Sequence, residues 1–153
     1  MTYTVTKIDT IDVNIFNEIY NGDKERITTA VGYDDIDKMR SLFTQDEDGV
    51  HMFQAVDSSG QVMAYIMGDP LMYMKTIRII LMVTRSANTI PNFSEPSATL
   101  MKSLGFEEVH FSVKKSSTSY NYCKNNLNRS DIYQYIGETT EEEGYTDIKL
   151  LLV

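Results

Sequence analysis

"TIRIILMVTRSANTIPNFSEPSATLMKSLGFEEVHFSV" spans residues 76–113, and its reading decides the fold. The first eight residues, 76–83, are the most continuously apolar run in the chain and predict a strand buried on both faces. "SEPSATLMKSLGF", 94–106, predicts a helix. Ser94 suits its N-cap, Pro96 is tolerated in a first turn, Leu100, Met101 and Leu104 share one face, and Gly105 ends it. "EEVHFSV", 107–113, alternates, with Val109, Phe111 and Val113 on one side and His110 and Ser112 on the other, and predicts another strand. Between the first strand and the helix lies "TRSANTIPNFSEP", 84–96. Where a phosphorylated cofactor is bound, such a hand-over from strand to helix is rich in glycine, yet no glycine occurs from Asp69 to Leu104.

Working outward, "TYTVTKI" (2–8) alternates as a strand and "DVNIFNEIY" (12–20) has helical spacing, ended by Asn21-Gly22. "KERITTAVG" (24–32) is compatible with a short helix or a loop. "DDIDKMRSLF" (34–43) predicts a helix capped by Asp34, with Ile36, Met39, Leu42 and Phe43 on one face. "VHMFQAVD", "SSG" and "QVMAYIMG" (50–68) form a hairpin signal. "SSTSYNYCKNNL" (116–127) is a short helix capped by Ser116 or Ser117, and "DIYQYIGE" (131–138) and "YTDIKLLLV" (145–153) are strands joined by an acidic turn. The order β, α, α, β, β, β, α, β, α, β, β describes a single domain over 1–153. It predicts an α/β (α+β layered) fold with antiparallel hairpins and at least one parallel crossover.

The formal net charge is −8. That argues against nucleic acid, whose binding needs clustered cations, and against an anionic membrane surface. No apolar run approaches the roughly 18 residues of a membrane span, and no signal peptide is expected. Cys123 is the single cysteine, so no internal disulfide forms and a reducing, cytoplasmic setting is expected. The "EEE" run, 141–143, is expected to be a solvated loop.

This order of elements, with "FQAVDSSGQVMAYIMG" (53–68) as a central hairpin and "EEVHFSVKKSSTSYNYCKNNL" (107–127) as a late strand and helix, resembles the GNAT superfamily, the Gcn5-related N-acetyltransferases. "YCKNNL", 122–127, sits where members often carry a Tyr-x-Lys-x-Gly-Phe string. The resemblance implies a mixed, mostly antiparallel sheet of about six to seven strands flanked by helices. It implies acetyl-CoA as cofactor, its pantetheine arm along splayed central strands. Tyr122 is then the general acid for the departing thiolate, with Tyr120 the weaker candidate.

The same resemblance places a Gln/Arg-x-x-Gly-x-Gly/Ala phosphate loop on residues 85–90. Arg85 stands at its first position, but Asn88 and Ile90 occupy glycine positions. Pro91 and Pro96 remove N–H donors, and Glu95 puts a negative charge at the helix start. If the loop nonetheless holds phosphate, Arg85 and the N–H groups near Asn92 and Phe93 are the ligands.

Other candidates carry ordinary readings beside functional ones. The central strand has no acid to serve as base, and Asp69, before Pro70, reads as a turn residue rather than a catalytic one. His51 and His110 are expected at the surface, without metal-ligand neighbours. Cys123 reads as core rather than nucleophile, and the methionines around the central strands as core filler or, alternatively, a binding face. Two functions are therefore expected. The first is a non-catalytic structural or interaction protein with no cofactor, compatible with the small GNAT-like proteins of tailed bacteriophages, some of them in the virion. The second is an active N-acetyltransferase working by direct transfer to an amine. The apolar last strand is expected at a sheet edge, covered by a protein partner or a second copy.

Overall fold

A computed structural model describes residues 3–31, 35–44, 50–71, 75–86, 89–126, 131–140 and 144–153. Seven strands form one mixed, mostly antiparallel sheet in the order β1-β2-β3-β4-β5-β7-β6. They are β1 (Thr4–Ile8), β2 (His51–Val56), β3 (Val62–Leu71), β4 (Thr76–Thr84), β5 (Glu108–Lys114), β6 (Tyr133–Thr140) and β7 (Tyr145–Leu152). The helices are α1 (Val13–Gly22), α2 (Lys24–Val31), α3 (Ile36–Thr44), α4 (Thr89–Ser103) and α5 (Thr118–Asn126). Among the described residues only β4 and β5 run parallel, joined by the α4 crossover. No helix among the described residues is long and apolar enough to cross a membrane.

The helices make two layers with separate cores. On one face Phe16 and Ile19 of α1, Ile27 of α2, and Met39 and Phe43 of α3 bury against Tyr65, Met67, Leu81 and Val83. Phe43 stands 5.6 Å from Phe16 and 6.3 Å from Tyr65, centroid to centroid, in tilted pairs. The start of α1 is tied to the same tyrosine. Asp12 accepts from the N–H groups of Asn14 and Ile15, and its own N–H donates to the Tyr65 hydroxyl at 3.2 Å. The other face packs α4 and α5 onto the sheet through Phe93, Ala98, Met101, Phe106 and Cys123.

Several local expectations change. Residues 24–31, left open between helix and loop, are helical. The cap of α3 is Asp35, which accepts from the N–H of Asp37 at 2.9 Å, while Asp34 lies outside the described residues. Asp69 and Pro70 do not turn the chain but continue β3, opposite Arg78 and Ile77. A proline fits there because, among the described residues, β2 pairs with β3 only as far as Gly68.

The last strand is not an edge. β7 lies between β5 and β6, which removes the reason for expecting cover there. A β6 strand arriving before β7 in sequence supplies the outer neighbour, and the apolar residues Ile148, Leu150 and Leu152 belong to the α4/α5 core.

The helix expected from Ser94 begins five residues earlier, at Thr89, so Pro96 is interior rather than in the first turn. Interior proline removes one intrahelical bond, to the carbonyl four residues back, here Asn92. That carbonyl instead accepts the Tyr3 N–H at 3.1 Å, which couples β1 to α4. The helix ends as expected at Gly105, whose φ is 97°, with the Phe106 N–H reaching the Met101 carbonyl.

Among the described glycines, Gly68 alone has close neighbours where a Cβ would stand. A Cβ there would lie 2.5 Å from Ile77 Cδ1 and 2.7 Å from Cγ1. Overpacking of this kind costs about 1–3 kcal/mol, so Gly68→Ala is expected to lower the urea midpoint accordingly. An unchanged midpoint would show that Ile77 has room to yield.

Candidate functional site

The candidate site is the opening between β4 and β5. Their pairing runs from Thr76↔Glu108 to Ile79↔Phe111 and stops. Beyond it β4 continues to Thr84 beside β3, and β5 to Lys114 beside β7. The cause sits in β4. Met67 pairs with Leu81 and Gly68 with Ile79, so Ile80 is an extra residue, a β-bulge. Bulges bend and twist the strand that carries them. This one also shifts the alternation. Ile77, Ile79 and Met82 face the α4/α5 core, whereas Leu81 and Val83 face the α1–α3 core. The unbroken apolar run 76–83 thus serves both cores.

The opening is a cleft of about 250 Å³, walled by Ile79, Ile80 and Met82 of β4, Phe111 and Val113 of β5, and Phe93, Ser97 and Met101 of α4. Among the described residues Lys114 is the one charged residue lining it. Ser97 is only 7% exposed, and its hydroxyl has no hydrogen-bond partner among the described residues. Cys123 closes part of the wall. Burial pushes its thiol up to about 12, so it is a neutral packing group rather than a thiolate nucleophile at neutral pH.

Tyr122 lies on α5 with its ring packed against this core, and it hydrogen-bonds to Tyr133 of β6. Tyr133 lines the cleft, and sequence reasoning missed it. Burial, with Tyr122 and Glu95 adding to it, pushes the Tyr133 phenol up to about 12. Tyr120 points elsewhere, as its two-residue offset on a helix requires. Its hydroxyl donates to Glu138 at 3.2 Å, and Lys124 donates to the same carboxylate at 3.0 Å.

At the end of β4 the chain uses its own polar groups. Arg85 Nε donates to the Val62 carbonyl at 2.6 Å and Nη1 pairs with Glu18 at 2.8 Å, leaving the side chain 17% exposed. The Arg85 N–H donates to the Met63 carbonyl, the Ser86 N–H to Thr89 Oγ1 at 3.3 Å, and the Thr89 N–H to the Ser86 carbonyl at 3.2 Å. Arg26 of α2 holds both the Thr84 hydroxyl and the Thr84 carbonyl. Asn92 and Phe93 are the fourth and fifth residues of α4. The Phe93 N–H falls within the intrahelical ladder rather than at an open end. Asn88 lies outside the described residues.

The opposite face of the opening carries polar residues that sequence reasoning also missed. Cross-strand partners share a face, so Arg78, His110 and Lys149 stand together, with Ser112 and Asp147 beside them. His110 is 9% and Asp147 6% exposed, against the expectation of a surface histidine. Arg78 lies 3.8 Å from Asp147 and His110 lies 3.9 Å from Glu108. His51 is half-buried against the rings of Phe53 and Phe106, and this burial, with Lys7 nearby, lowers its pKa. Among the described residues no His, Cys, Asp and Glu group has the makings of a metal site.

No family model and no curated protein sequence matches the chain. Solved structures do. A probable acetyltransferase from Staphylococcus epidermidis superposes with a TM-score of 0.64 at 10% identity, covering 98% of each chain. Spermidine N-acetyltransferase from Vibrio cholerae, in complex with CoA and spermine, gives 0.64 at 11% identity over 98% of this chain and 95% of that one. A GNAT superfamily phosphinothricin acetyltransferase from Sinorhizobium meliloti, in complex with AcCoA, gives 0.61 at 14% identity over 99% and 89%. The fold is therefore the GNAT acetyltransferase fold, over nearly the whole length.

Two outcomes follow from this geometry. Arg85→Ala removes a charged donor from the Val62 carbonyl, and a loss of about 1–3 kcal/mol is expected in urea unfolding. Unchanged stability would mean that the Arg85 contacts are incidental. The second outcome concerns alkaline pH. The Cys123 thiol is raised from 9.0 to about 12 in the folded protein. The native state therefore holds its proton more tightly, so stability is full below the lower value and falls as pH rises between the two. Urea midpoints measured across that range are expected to decline, and less steeply in Cys123→Ala. Equal slopes would contradict a buried, protonated thiol.

Proposed function

We propose that this chain is a non-catalytic protein of the acetyltransferase fold, acting as a structural or interaction module. The observation that carries this reading is the hydrogen bonding at the end of β4. An anion site at a helix start needs N–H groups aimed outward and unspent. Here the N–H groups of Arg85, Ser86 and Thr89 go to partners in the chain, Pro91 has none, and Arg85 is turned to Val62 and Glu18. Freeing these donors would forfeit the bonds they already make. As bonded here, Arg85, Ser86 and Thr89 offer a pyrophosphate no unspent N–H group, which supports the non-catalytic reading.

A second reading, an acyl-CoA-dependent N-acetyltransferase acting on an amine, is favoured by the cleft itself and by the Tyr122–Tyr133 pair at its wall. Two of the similar structures are complexes, one with AcCoA and one with CoA and spermine.

Thermal unfolding in the presence of acetyl-CoA separates the two. Any ligand that binds the native state raises the melting temperature by mass action. No shift is expected at millimolar acetyl-CoA. A clear shift, abolished by Arg85→Ala in a protein that still folds, would establish the enzyme reading instead.

A further inference from the structure

We propose that the opening between β4 and β5 is a slot for an extended peptide segment of a partner protein, which enters as an added strand along β4. The inference rests on the reading that the cleft does not serve acyl-CoA, and it names the partner chemistry of that same site.

Strand edges carry the argument. Past Ile79, β4 pairs with β3 alone, so the side of Leu81–Val83 toward β5 is an unpaired edge inside a cleft rather than at the rim of the sheet. Backbone N–H and C=O groups away from bulk water need partners, and another backbone supplies them at the right spacing. Peptide addition to a sheet edge uses those bonds for affinity and alternate side chains for specificity. The wall is apolar where such side chains would go: Ile80, 51% exposed, and Met82 on β4 line it together with Phe93 and Met101 on α4. Ser97 lines the same space, and its buried hydroxyl has no hydrogen-bond partner among the described residues.

Size and charge narrow the segment. The 250 Å³ cleft is below the ~300–1,000 Å³ usual for small-molecule pockets and suits one or two apolar side chains. In a chain of net charge −8, Lys114 is the only charged residue lining the cleft among the described residues. A segment alternating apolar and small polar residues, with one carboxylate at the Lys114 end, matches both.

The test is a titration of ¹⁵N-labelled protein with a blocked peptide alternating valine and threonine and ending in aspartate, followed by chemical-shift changes. At millimolar peptide, changes are expected at Ile80–Val83, Ser97 and Lys114. They are expected to weaken on the order of tenfold when every second peptide amide is N-methylated. Ile80→Lys, at an exposed position, is expected to abolish them while leaving signal dispersion elsewhere unchanged. Absence of changes in the slot, or equal changes with the methylated peptide, overturns the proposal. Acetyl-CoA is titrated separately. Changes at Ser86 and Thr89 would overturn the functional reading and this assignment with it, whereas silence to both ligands overturns the peptide slot alone.

Discussion

A single extra residue, Ile80, governs the geometry of this molecule. By breaking the register between β3 and β4 it lets one apolar strand feed two cores, and it lies where β4 leaves β5. A straight β4 would continue pairing and close the sheet. The cleft, the buried Ser97 hydroxyl and the polar group around Asp147 all border the point of separation. Gly68, opposite the bulge, has no side chain because Ile77 occupies the space a Cβ would need.

The strand end past the bulge is shaped by a different requirement, the pairing of every buried polar group. Arg26 and Arg85 tie it to α1, α2 and β3, while Ser86 and Thr89 bond each other across the first turn of α4. Pro96 and Tyr3 do the same further along the helix, exchanging an intrahelical bond for one to β1. These arrangements stabilise a closed connection. Among the described residues they occupy the N–H groups of Arg85, Ser86 and Thr89, while the apolar cleft between β4 and β5 stays open.

The fold was legible because its elements carry strong periodic signals. The alternation of 107–113, the hairpin at 50–68 and the glycine end at 105 all act locally, and each appears as read. What escaped were features set by distant neighbours. The bulge at Ile80 is invisible inside a run of uniformly apolar residues. The start of α4 depends on a Ser86–Thr89 exchange that resembles an ordinary polar loop, which is why Ser94 looked like the cap. The place of β7 inside the sheet depends on β6 pairing outside it, a choice that alternation cannot express. At the site, Arg85 was legible as a special residue, but its partner Glu18 lies 67 residues away in sequence. Tyr133 and Asp147 carried no local motif, and only the paired strands bring them to the opening.

Amide hydrogen exchange at Ser86 and Thr89, measured with and without acetyl-CoA, tests the closed connection most directly. The account predicts that both amides are protected in the free protein and that their exchange does not change when acetyl-CoA is added. Rapid exchange in the free protein, slowed markedly by acetyl-CoA, would contradict it and show a phosphate loop whose donors are open.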